Sequence, residues 1–173
     1  MAPKPDARRF LAIYLNDHLA GAALGVELAR RLRSSNQGDP EMGPPLSRIC
    51  AEIEADRETL ERLSDHLEIG RDQIKPVLAK IAERLGRLKL NGRIRGYSPL
   101  SRVLELEVLS GLVGAKMQLW NALEESFRET LDGFDFGELA ARADSQGQRL
   151  EDLHLAATRR TLPGATADTQ SAP

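Results

Sequence analysis

ICAEIEADRETLERLSDHL, residues 49–67, reads as the seam of a helical bundle. Ile49, Ile53, Asp56, Leu60, Leu63 and Leu67 follow alternating steps of four and three, which keeps one helix face turned toward its neighbours. Five of these six positions are aliphatic, and the sixth, Asp56, sits mid-seam. A carboxylate among aliphatic side chains is costly unless it is paired, hydrogen-bonded, protonated or bound to metal. Glu52, Glu54, Glu58 and Glu61 lie off the seam and read as a solvated face, with His66 on the surface. The periodicity predicts a helix over 46–69 that Gly70 closes.

Upstream, residues 8–33 read as one long amphipathic helix. At 100° per residue, Phe10, Tyr14, Gly21, Leu24, Gly25, Leu28 and Leu32 fall on one side, and Arg9, Asn16, Glu27 and Arg30 on the other. Asp17 and His18 fall near the edges of the apolar arc. Two glycines inside a helix, each costing about 1 kcal/mol against alanine, point to close packing or to room beside the Asp-His pair. Residues 34–45, SSNQGDPEMGPP, read as a flexible surface loop.

Downstream, a third, shorter helix is expected from about 72–76 to Leu90, with Pro76 in its first turn and Asn91-Gly92 at its end. Arg84, Arg87, Lys89, Arg93 and Arg95 follow without an intervening acid, a pattern open to phosphate or RNA contact. No aromatic residue is interleaved before Tyr97, which favours a solvated basic loop. Ser98-Pro99 then starts a helix over 99–131, apolar nearly all round and therefore central. Its apolar direction runs through Leu109, Leu112, Leu123 and Phe127. Glu105 and Lys116 fall near that direction, whereas Glu107, Gln118, Asn121 and Glu125 oppose it. Glu105 and Lys116 are eleven residues apart, about 16 Å along the axis, so each needs a partner on another helix. Asp56 can serve either.

Gly133 closes that helix, and DFGE (135–138) has capping-box spacing for a last helix to Leu162. Its inner side collects Phe136, Leu139, Ala140, Ala143, Leu150, Leu153 and Ala157, with Gln146 and His154 among them and Glu151 at the edge. Glu151 and His154 form an ExxH, which sets carboxylate and imidazole on adjacent turns of one face. Residues 1–7 read as a flexible terminus, 8–162 as a single domain, and 163–173, PGATADTQSAP, as a disordered tail.

The whole chain has 173 residues, few aromatics, a formal charge of −2 and a single cysteine, Cys50. That length supports one domain with a real core. The near-neutral charge gives no global attraction to nucleic acid or to a membrane. A lone cysteine excludes an internal disulfide and suits the cytoplasm. The short FLAIYL run ends in Asn16-Asp17-His18, which reads as neither secretory signal nor membrane span. Nucleotide-loop, HExxH, EF-hand and nucleophile-elbow motifs do not occur.

YLNDHLAGAALGVELARRL, EIEADRETL, GRLKLNG, SPLSRVLELE and GAKMQLW together resemble a bacterial family of ferritin-like helical bundles, over roughly residues 8–162. The resemblance implies an all-α fold of four long helices with a short extra crossover helix, and no particular activity. The ferritin-like di-iron pattern takes one Glu from each of two helices and an ExxH from each of the other two. Glu105 matches a lone Glu, and Glu151 with His154 matches one ExxH. Asp56, however, is followed three residues later by Thr59 rather than His. In the first helix Asp17 or the outward Glu27 would have to ligate.

Two uses of the inward polar residues follow. In the first, Asp17, His18, Asp56, Glu105, Lys116, Gln146 and His154 form a metal-free buried network in a cytoplasmic binding or interaction protein. That protein has no cofactor, and its partner is another protein or a second copy in a homodimer. In the alternative, Asp17, His18, Asp56, Glu105, Glu151 and His154 hold iron or manganese, the metals suited to carboxylate and imidazole, in a metal-binding or redox protein.

Overall fold

The computed structural model describes residues 5–70 and 97–162, and within them every regular element is an α-helix. The helices are α1 (Pro5–Asn36), α2 (Gly43–His66), α3 (Pro99–Phe127) and α4 (Phe136–Thr161). The expected third helix, the basic residues Arg84, Arg87, Lys89, Arg93 and Arg95, and the tail 163–173 lie outside the described residues.

Helix α1 continues three residues beyond its expected end, and α2 starts three residues before its own. The connection is therefore a tight turn over 37–42, and the outer residues of the surface loop expected over 34–45 belong to the two helices. Pro44 and Pro45 sit in the first turn of α2, where a missing N–H removes no helical hydrogen bond. Met42 is fully buried. Gly43 lets the chain ends approach, because a Cβ there would lie 3.0 Å from the Asn36 carbonyl oxygen. Asp39 ties this end together. Its Oδ1 accepts from the Glu41 and Met42 amides, and its Oδ2 accepts from Arg102 at 3.3 Å and Arg160 at 3.0 Å. Burial opposes ionisation of Asp39, but the Met42 and Glu41 amides and the two guanidinium groups outweigh it and lower its pKa.

Gly70 does not close α2. The chain turns at Glu68, which adopts a left-handed φ of 54°, while the Ile69 amide returns to Ser64 O. Ser98 caps α3 by accepting from Ser101 N at 3.1 Å. Asp135 caps α4 by accepting from Glu138 N at 2.8 Å. Between them Gly133, at φ 88°, takes the left-handed backbone that the turn requires.

Cross-helix pairs fix the directions. Arg30 meets Glu54 while Arg8 meets Glu68, so α1 and α2 are antiparallel. Asp39, in the turn that leads into α2, meets Arg102 near the start of α3, and Asp56 meets Lys116 further along, so α2 and α3 are parallel. Glu107 pairs with His154 and Lys116 with Gln146, so α3 and α4 are antiparallel. Packing is most extensive between α3 and α4, then between α1 and α2 and between α1 and α3.

Two layers of core fill the bundle. One gathers Val26, Leu32, Met42, Ile49, Leu106 and Leu150 toward the Asp39 end. The other gathers Leu15, Leu19, Leu63, Trp120, Leu123 and Phe136 toward the opposite end. The seam of α2 lies inward, with Ile49, Ile53, Asp56, Leu60 and Leu63 buried and Leu67 half-buried. The face assigned to α1 needs rotation. Asn16 is buried and donates to Ala12 O at 2.9 Å and Gly70 O at 3.1 Å, whereas Phe10 is 65% exposed. Helix α1 is covered by both α2 and α3, so its buried arc is wide and much of it is alanine. The bulky Phe10 and Tyr14 dominated an average to which Ala20, Ala23 and Ala29 contribute little.

Candidate functional site

At mid-bundle, α2, α3 and α4 each contribute to one polar cluster. Asp56 reaches it because it occupies a seam position, and it is only 2% exposed. Lys116 of α3 donates to Asp56 Oδ2 and to Gln146 Oε1, and Gln146 Nε2 donates to Asp56 Oδ2 at 3.1 Å. Arg142, one turn before Gln146 on α4, donates to Asp56 Oδ1. A second pair closes over the cluster, with Arg149 donating to Glu52 at 3.0 Å. The Arg149 guanidinium lowers the Glu52 pKa against the effect of burial, and Gln146 adds to that lowering. Burial of the Lys116 ammonium lowers its pKa, and the adjacent Asp56 carboxylate only partly offsets this.

Beside this cluster lies a cavity of about 200 Å³ between α1, α2 and α3. Its walls are mainly aliphatic, from Ile53, Leu60, Leu109, Leu112, Val113 and Leu119, and Asp56, Lys116 and Trp120 also face it. Gly21 and Gly25 line the α1 side. A Cβ on Gly21 would meet nothing within 4 Å, and one on Gly25 would meet only Ile53, at 3.9 Å. Asp17, which is exposed, and His18, which is half-buried, also line the cavity, as does Arg57, held by Glu61 at 2.8 Å. Burial lowers the His18 pKa, opposed by the neighbouring Asp17 charge, and the ring makes an edge contact with Tyr14. Trp120 is fully buried and stacks on Phe136, yet its indole Nε1–H has no acceptor among the described residues.

The other sequence candidates do not join this site. Glu105 pairs with Arg31 at 2.9 Å and lies near Tyr97, whose pKa is pushed up to about 12 chiefly by burial. Tyr97 in turn accepts a long hydrogen bond from Asn36. His154 turns to Glu107 at 3.0 Å on an outer groove between α3 and α4, a groove that Glu151 also lines. The seven residues of the expected network therefore separate. Asp56, Lys116 and Gln146 meet, Asp17 and His18 line the adjoining cavity, and Glu105 and His154 are elsewhere.

The six expected metal donors likewise fall into three places. Among the described residues no three His, Cys, Asp or Glu side chains are grouped so as to hold an ion. Lys116, Gln146 and Arg142 occupy both Asp56 oxygens, so the donor set does not fit the paired metal ions of a ferritin-like centre. Lysine and arginine stand where a cation would have to bind.

Arg142, Asn16, Arg149 and Trp120 were not singled out from the sequence. Arg142 alone carried a usable signal, since it precedes Gln146 by four residues and so shares its face. Cys50 is buried, which raises its thiol pKa. No described helix is long and apolar enough to cross a membrane. No protein-family model, curated protein or solved structure matches this chain.

Proposed function

We propose that this chain is a ligand-binding protein on a ferritin-like helical bundle, and that the cavity beside Asp56 and Lys116 takes a small, largely apolar molecule. One observation carries the reading. The bundle leaves room of about 200 Å³ at a polar cluster and opposite two glycines, where core side chains normally pack without voids. A purely apolar cavity of about 150 Å³ accepts a molecule the size of benzene. The Asp56 cluster then acts as a fixed floor, because its three helices are tied through one carboxylate. The ferritin-like arrangement draws support from the directions of the helices. Gly70 lies beside Asn16 and Tyr97 beside Asn36, so the link between α2 and α3 begins and ends at opposite ends of the bundle.

Thermal unfolding with toluene as probe tests the reading. A ligand that binds only the folded state raises the midpoint in proportion to ln(1 + [L]/Kd). The expected result is a rise that follows this logarithmic dependence in the natural chain and is lost in Gly21→Leu, whose side chain fills the cavity. An equal response in both proteins, or none in either, contradicts it.

A further inference from the structure

We propose that the occupant of this cavity is a compact primary amine, an apolar body of benzene-like size whose ammonium group sits at the mouth against the Asp17 carboxylate; this rests on the cavity being a ligand site. Asp17 and Ala115 both line the cavity and both are exposed, so the cavity reaches the surface between α1 and α3. An occupant with one charged group can therefore bury its apolar body among Ile53, Leu60, Leu109 and Leu119. Its charge then stays in contact with water, which avoids the cost of burying an ion. The sign of that charge follows from the ionisable side chains that line the cavity, namely Asp17, His18, Asp56, Arg57 and Lys116.

The Lys116 ammonium is matched by Asp56, and the Arg57 guanidinium by Glu61 at 2.8 Å. Burial lowers the His18 pKa, so its imidazole is uncharged at neutral pH. Asp17 is left. It has no hydrogen bond and no ion pair among the described residues, and the residues one turn away on α1, Ile13, Tyr14, Ala20 and Gly21, bring no base. The charge that remains at the mouth is one carboxylate, which attracts a cationic ligand group and repels an anionic one. An ammonium offers it N–H donors, and the neutral His18 imidazole keeps one ring nitrogen as a further acceptor. A second, shallow hollow lined by Phe10, Leu11, Ile13 and Tyr14 meets the cavity at Asp17, which lines both. Aromatic faces attract ammonium groups within about 6 Å, so the rings beside Asp17 favour the same sign of charge.

Benzylamine, benzyl alcohol and toluene separate the proposal from the reading beneath it, with binding followed by side-chain NMR shifts of the full chain near neutral pH and at low salt. Benzylamine, which is charged there, is expected to bind about fivefold more tightly than its uncharged counterpart benzyl alcohol, the effect of one contact ion pair in water. Asp17→Asn, a change at an exposed position, should remove that advantage and leave toluene binding unchanged. Gly21→Leu should abolish binding of all three. Benzylamine binding no more tightly than benzyl alcohol, or an advantage that survives Asp17→Asn, overturns the amine assignment, and toluene binding then leaves the cavity reading standing. Benzylamine binding retained in Gly21→Leu also overturns it, because its site would lie outside the cavity. Failure of all three probes to bind removes the cavity reading and this proposal together.

Discussion

Lys116 of α3 donates to Asp56 of α2 at a point where that carboxylate is 2% exposed, and Gln146 and Arg142 of α4 complete its hydrogen bonds. Three helices are thus joined through one side chain. Replacing one member of a buried ionic cluster strands the others, at a typical cost of about 3–5 kcal/mol. Asp56→Leu is expected to lose stability on that scale in urea unfolding. Asp56→Leu combined with Lys116→Met should lose less than Asp56→Leu alone, because the Arg142 side chain is 35% exposed and can turn to water. Equal losses in the two proteins would mean that Lys116 and Asp56 are not coupled.

Gly21 lies within α1 with nothing within 4 Å of its absent Cβ. Alanine there should stabilise the helix by about 1 kcal/mol, measured as a higher midpoint of denaturant unfolding. A loss of stability would show that the α1 backbone at Gly21 packs more closely than its geometry indicates.

His18 gives the fold a pH dependence with a definite sign. Burial lowers its pKa, and Asp17 only partly opposes this. The unfolded chain therefore takes up the proton first, near the ordinary histidine value of about 6.5. Stability should fall as pH drops below that value and level off once the folded-state histidine is also protonated. His18→Gln should flatten this slope in unfolding curves collected between pH 7 and pH 5. An unchanged slope would assign it to other groups.

Tyr97 acts at the alkaline end. Its hydroxyl is pushed up to about 12, first by burial and further by Glu105, while Asn36 works in the opposite sense. The unfolded chain loses that proton near pH 10, so stability should decline between about pH 10 and pH 12. Tyr97→Phe should lessen that decline in unfolding curves. It should also remove a phenolate absorbance step near pH 12 from the native protein. A Tyr97 step near pH 10 in the folded chain would contradict the burial of its hydroxyl.

The four long helices were legible because each carries a local signal. These are the unbroken amphipathic run over 8–33 for α1, the four-and-three seam from Ile49 to Leu67 for α2, the Ser98-Pro99 start for α3 and the Asp135 cap for α4. Asp56 was legible as a problem, since a carboxylate within that seam needs an answer. The answer was only partly legible. Lys116 and Gln146 fell on inward faces, but periodicity gives a direction and not a distance, so it grouped Glu105 and His154 with them although each has a partner elsewhere. Arg142 escaped notice because an arginine can extend several ångströms from a helix flank to a buried group. The cavity itself was not legible. Gly21 and Gly25 announced either close contact or space, and only the packing of α1 against α2 and α3 distinguishes these.

Trp120, the only tryptophan in the chain, faces the cavity and so reports on its occupancy directly. The most direct measurement is its fluorescence, excited at a wavelength toluene does not absorb, during toluene titrations of the natural chain and of Gly21→Leu. A saturable change is expected in the natural chain and none in Gly21→Leu. A natural chain whose emission is indifferent to toluene, or a Gly21→Leu variant that responds identically, would contradict a ligand cavity between α1, α2 and α3.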